Sequence, residues 1–272
     1  MPEMPAFAEM IKMRAVLRIP GMEDVAARRD LVYKTLADET LLFDLYSPKE
    51  PAPRPAVVLI HGGPVPAGSG PKGMGSFLSI GELVAASGLA AIVFNHRFHG
   101  APMLVEAAGD VRDLLRHVRE SAADLGIDPE RIALWAFSGG GPFLSSTLKD
   151  APGYVRALVA YYALLDMQVR PSGVEPGSPN DLSDETRRAY SPAYHVASGA
   201  RVPPMLIARA GLDHPWLNGS IDRFVASALE KNAPLDLMNH AAGRHGFDIL
   251  DDDDRSREIL ARTLAFLTRA LL

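Results

Sequence analysis

At 272 residues the chain suits one large α/β domain or two small ones and can bury a substantial core. Its 47% hydrophobic and 22% charged residues fit a soluble globular protein, and a formal net charge of -5 leaves no excess of Lys and Arg to displace phosphate counterions, which excludes a general nucleic-acid binder. There is no cysteine, so disulfides, thiol nucleophiles and cysteine metal sites are excluded as well.

The opening Met1-Pro2-Glu3-Met4-Pro5 lacks a basic stretch followed by a long apolar one and does not read as a signal peptide. No apolar segment approaches the length of a membrane span, so a cytoplasmic protein with no membrane partner is expected. Alternating segments at Val16-Leu17-Arg18-Ile19, Leu31-Val32-Tyr33-Lys34 and Leu41-Leu42-Phe43-Asp44-Leu45-Tyr46 predict antiparallel edge strands. The rhythm then changes. Apolar runs at Val57–Ile60, Ala90–Phe94, Ile132–Trp135, Val155–Tyr161, Met205–Ala208 and Leu235–Asn239 alternate with helical patterns near Phe77–Ser87, Val105–Asp124, Ile221–Asn232 and Ser256–Leu271. That alternation predicts βαβ crossovers: an α/β fold with a mostly parallel, doubly wound sheet behind the antiparallel strands. Asp128-Pro129-Glu130-Arg131 reads as a turn into the strand at Ile132. Residues 168–200, rich in Pro, Gly, Ser and Asp, contain no strand-like run. They begin just past a strand, at the sheet edge where open α/β sheets bind ligands. A small lid over a single domain spanning 1–272 is the expectation; an ordinary surface excursion is the alternative.

The chemistry is concentrated in a few short segments. Ala136-Phe137-Ser138-Gly139-Gly140-Gly141 follows the apolar run at Ile132: a buried strand, a turn crowded with small residues, and a serine at its apex before a helix. This is the pattern of a nucleophile elbow, which exposes the serine oxygen and aims the next backbone N–H at a reacting carbonyl. The alternative is an incidental N-cap serine. A serine nucleophile needs a base, an orienting acid and oxyanion donors, in the chain order Ser, Asp or Glu, His. His245, between glycines in a loop after the last strand, is the expected base; His240, at the strand end, is its rival. Asp213, just past the strand at Met205, is the expected acid, against the ordinary reading of a turn or cap aspartate. Asp222 and Asp236 fall inside a helix and a strand pattern, and Asp248 reads as a cap for the next segment. His61-Gly62-Gly63-Pro64 follows another strand, and its backbone can present an N–H to an oxyanion beside that of Gly139. Because Pro64 has no N–H, the donor is Gly63 or Gly62, and His61 reads as structural. His96 and His99, three apart with no acidic partner nearby, shape a pocket rather than bind a metal. Asp251-Asp252-Asp253-Asp254 lacks the alternation and glycine of a calcium loop and suits a helix N-terminus.

These pieces together resemble the α/β-hydrolase superfamily, and within it the prolyl-oligopeptidase-like and dienelactone-hydrolase-like serine esterases. The resemblance rests on His61-Gly62-Gly63-Pro64, Gly126-Ile127-Asp128-Pro129-Glu130-Arg131-Ile132, Ala136-Phe137-Ser138-Gly139-Gly140, Gly211-Leu212-Asp213 and His245-Gly246-Phe247, from about residue 40 to the carboxyl end. It implies a triad of Ser138, His245 and Asp213, an oxyanion hole from Gly139 with Gly63 and Gly62, a small-molecule ester as substrate, and no cofactor or metal. The chain departs in two places. Ala136 stands where the elbow usually has its first glycine, and the cysteine nucleophile of dienelactone hydrolases proper is lacking. A peptidase of the prolyl-oligopeptidase-like type and a non-catalytic binding protein on the same fold are the alternatives. Homo-oligomerisation is left open.

Overall fold

The computed structural model describes residues 7–50, 53–66, 68–169, 174–175, 178 and 181–272. The opening pentapeptide read above, and part of the 168–200 segment, lie outside them. After a one-turn helix α1 (Phe7–Met10), the strands β1 (Ala26–Thr35) and β2 (Thr40–Ser47) pair antiparallel. Strands and helices then alternate: β3 (Arg54–Ile60), α2 (Gly75–Ala86), β4 (Ala90–Phe94), α3 (Leu104–Glu120), α4 (Ala122–Leu125), β5 (Ile127–Phe137), α5 (Ser145–Asp150) and β6 (Val155–Tyr161). Next come α6 (Asp184–Ala189), α7 (Pro192–Ala197), β7 (Met205–Ala210), α8 (Pro215–Glu230), β8 (Leu235–His240), α9 (Phe247–Leu250) and α10 (Asp254–Leu271). Among the described residues eight strands form one sheet in the order β1-β2-β4-β3-β5-β6-β7-β8, parallel from β4 through β8.

The continuous apolar runs of β3 to β6 have a physical reason. Alternate residues of each strand point to opposite faces, and both faces are covered. Val58, Ile60, Ile92 and Leu134 join one core with Leu114 of α3 and Phe224 of α8; Val57, Leu59, Val93 and Trp135 join the other with Leu83 of α2 and Leu267 of α10. No helix among the described residues is long and apolar enough to cross a membrane.

The structure differs from the sequence reading in four places. Residues 16–19 form no strand, and two of their backbone donors are committed elsewhere: the N–H of Val16 donates to the Asp248 carbonyl and that of Ile19 to Met22 Sδ. The turn at residues 128–131 lies inside β5 as an irregularity, between the pairings Arg54–Ile127 and Ala56–Ile132, with Asp128 accepting the N–H of Glu130. Helix α8 begins six residues earlier than the apolar pattern, at Pro215, whose missing N–H is harmless in a first helical turn. The segment 168–200 carries two short helices, α6 and α7, each started by a serine side chain that accepts a backbone N–H, Ser183 from Thr186 and Ser191 from Tyr194.

Candidate active site

Three loops leave the carboxyl ends of parallel strands and meet. Immediately after β5 the backbone turns sharply, and Ser138 takes a positive φ of 52°. The turn is possible because its neighbours lack side chains. A methyl on Gly139 would lie 2.4 Å from the Gly63 carbonyl oxygen, and one on Gly62 would lie 2.7 Å from Ser138 Cβ. The segment from 138 to 144 continues as a 3₁₀ helix with Pro142 inside it, and α5 follows directly. In its first turn the N–H of Gly139 has no intrahelical acceptor, and the residue packs closely against the backbone of Gly63. The elbow is pinned from behind by the N–H of Leu164, which donates to the Ser138 carbonyl at 2.9 Å.

The second loop follows β7. Asp213 is buried, and its Oδ1 accepts the N–H of His214 at 2.7 Å. The third follows β8. There Arg244 donates to Asp251 and to the carbonyl of Leu250, which clamps the loop that carries His245. The N–H of Leu212 donates to the Gly243 carbonyl and that of Gly211 to His240, so the second and third loops are tied to each other. The imidazole of His245 bridges the set: Nδ1 lies 2.6 Å from Asp213 Oδ2 and Nε2 lies 2.9 Å from Ser138 Oγ. Of the rival residues, His240 is buried against Asp253 and Ser256 at the start of α10, Asp222 pairs with Arg209, and Asp236 sits on β8 within 3.8 Å of Arg269. Asp248 is not the expected cap. It is buried in α9, where Tyr162 Oη donates to its Oδ1 at 2.5 Å.

A family model described as BD-FAE matches residues 43–151. No curated protein matches the chain. Among solved structures, the thermophilic esterase Est2 of the planctomycete Thermogutta terrifontis with butyrate bound is similar over 92% of this chain and 95% of its own, at 22% identity and a TM-score of 0.70. A bacterial heroin esterase is similar over 92% of this chain and 86% of its own, at 20% identity and a TM-score of 0.74. An arylesterase is similar over 97% and 90%, at 19% identity and a TM-score of 0.75. The chain has the α/β-hydrolase fold.

In this α/β-hydrolase fold Ser138 and His245 face two cavities. The larger, about 710 Å³, is lined mainly by apolar side chains, among them Phe98, Leu104, Met167, Leu182, Leu212 and Trp216. The arginines on its wall are already neutralised, Arg187 by Asp181 and Arg244 by Asp251. His99 lines it as expected, whereas His96, expected to shape the pocket with it, lines neither of these two cavities and is buried against His61. The smaller cavity, about 290 Å³, lies on the side of α2 and α9.

His61 and His96 turn away from solvent and stack on each other, with centroids 3.5 Å apart and rings within 5° of parallel. His61 Nδ1 lies 2.6 Å from the Gly62 carbonyl, so the ring holds the glycine loop in register. Burial pushes His61 down from 6.5 to about 4, and the same cause holds His96 well below the usual histidine range. Asp248 goes the other way, raised by burial from 3.8 to about 6.

These shifts fix a pH dependence. As pH falls through about 6.5 the unfolded chain protonates both histidines while the folded chain does not, so the stability they contribute is complete above that value and drains away toward pH 4. For His61 alone the loss is on the order of 3 kcal/mol. Asp248 has the opposite sign: its contribution is full below 3.8 and is lost as pH rises through about 6. The urea midpoint should therefore be lower at about pH 5 than at about pH 7, and the fall should steepen in Asp248→Asn. A midpoint independent of pH in both proteins would contradict the burial of the stacked pair.

Sequence reasoning missed Tyr162, whose ring packs 4.6 Å from that of His245 and which, at a positive φ of 37° just beyond β6, carries no local signal. The crowding expected of the elbow turn extends to Gly141, where a methyl would lie 2.2 Å from the Leu164 carbonyl oxygen.

Proposed function

We propose that the protein is a serine hydrolase that cleaves small carboxylic esters through an acyl-enzyme. The reading rests above all on the unbroken relay from Asp213 through His245 to Ser138, at 2.6 and 2.9 Å, opening onto a cavity with mainly apolar walls. The esterase names of the structural neighbours support it, and the butyrate held by Est2 is the kind of product this chemistry releases.

In the reading, Asp213 keeps a proton on His245 Nδ1, which leaves Nε2 free to accept the proton of Ser138 Oγ as that oxygen attacks the acyl carbon. The carbonyl oxygen becomes an oxyanion between the N–H groups of Gly139 and Gly63, with Gly62 behind them. The carbon–oxygen bond to the alcohol then breaks, and His245 gives its proton to the departing oxygen. Water repeats the sequence on the acyl-enzyme and frees the acid. No step calls for a cofactor. The whole chain serves as one catalytic domain, with the 168–200 excursion as a cap; Val169, Val174, Leu182 and Arg187 on the wall of the larger cavity support that role.

A fluorophosphonate probe should label the folded protein at Ser138, and p-nitrophenyl butyrate should be hydrolysed while prolyl anilides are not. Anilide cleavage without ester turnover would make the protein a peptidase. Absence of labelling in folded protein would make it a binding protein on a hydrolase scaffold.

A further inference from the structure

The smaller cavity is walled by a part of the chain outside the strand–helix alternation. Met10 and Ile11, from the segment ahead of β1, line it together with Met74, Phe77 and Ile80 at α2 and Ile249 of α9. The same cavity reaches Ser138 and His245. The segment is fastened at three points. The N–H of Gly75 donates to the Ile11 carbonyl at 2.7 Å, the N–H of Ala15 to Ser79 Oγ at 2.8 Å, and the N–H of Val16 to the Asp248 carbonyl at 2.8 Å. It is thus strapped from α2 to α9, the two elements that supply the other walls. Glycine at 75 is what lets the strap lie so close, since a methyl there would sit 2.6 Å from the Lys12 carbonyl oxygen.

Two cavities of unequal size diverging from one nucleophile suit a substrate with two unequal halves. We infer that the strap around Met10 and Ile11 sets the length limit for one of the two groups flanking the scissile bond, restricting it to a short, uncharged chain. The apolar side chains of Met10, Ile11, Met74, Phe77, Ile80 and Ile249 on its walls disfavour a charged chain. The other group occupies the larger cavity, where the strap has no residue. This deepens the ester-hydrolase reading and rests on it.

Two substrate series test it: p-nitrophenyl esters from acetate to octanoate, and acetate esters of n-alkanols over the same lengths. Wild-type kcat/KM should fall sharply with length in only one series, which identifies the group the strap confines. In Ile11→Ala the ratio of the first rejected length to acetate should rise about tenfold in that series alone, the scale of one methylene in a hydrophobic pocket. Ile11→Trp should move the cut-off of the same series to shorter chains. If Ile11→Ala does not fold, Met10→Ala reads the same wall. Active variants whose cut-offs stay put, or move together in both series, overturn the inference and leave the hydrolase reading standing. A wild-type protein that hydrolyses no ester overturns both.

Discussion

Ser138→Ala should lower kcat toward p-nitrophenyl butyrate by about a millionfold while the protein stays folded. The magnitude follows from the geometry. His245 Nε2 has one hydroxyl at 2.9 Å, Ser138 Oγ, and without it the relay has nothing to activate. What remains is binding in the cavities and the N–H groups of the elbow, which by themselves leave a residual acceleration over water of roughly a thousand to ten thousandfold. KM should change far less than kcat, because the methyl of alanine takes up the position of Ser138 Cβ and the cavity walls are untouched. Pre-steady-state measurements on the variant should show no burst of p-nitrophenol. A loss of only a few-fold, with a burst retained, would mean that another group is the nucleophile and that the serine is an elbow in shape only.

Asp213→Asn should cost about ten thousandfold in kcat without disturbing the fold. An asparagine is nearly the same size and can still accept the N–H of His214, so the loop is held as before. Toward His245, however, an amide N–H₂ facing Nδ1 would drive the ring proton to Nε2. The nitrogen that must accept the proton of Ser138 would then already carry one. The prediction separates a tautomer-setting carboxylate from one that merely fills space: a structural aspartate would show a shifted melting temperature and a modest kinetic loss. Here thermal melts of the two proteins should nearly coincide while turnover differs by orders of magnitude. Coincident kinetics would remove Asp213 from the relay.

How much of this was legible beforehand varies with the physical signal. Strands β4 and β6 were visible to the residue, because a strand covered on both faces reads as a near-continuous apolar run, unbroken in β4 and interrupted in β6 by Arg156 alone. The convergence of residues 138, 213 and 245 was legible as chain order and loop position. The distances between them were not, since they depend on the turns at Gly139, Gly211 and Gly243, each pressed against a neighbour. The strand expected at residues 16–19 failed for an instructive reason. Its alternation is real, but the N–H of Val16 is taken by the carbonyl of Asp248, a partner far along the chain that no local pattern reveals. The same is true of Tyr162 and Asp248, a phenol and a carboxyl that find each other across 86 positions.

The positive φ at Ser138 sets conformation against chemistry at a single residue. For any residue with a Cβ that region is uphill by about 1–2 kcal/mol, and glycine alone enters it freely. The hydroxyl that meets His245 is therefore carried at a conformational cost that a glycine at the same position would not bear.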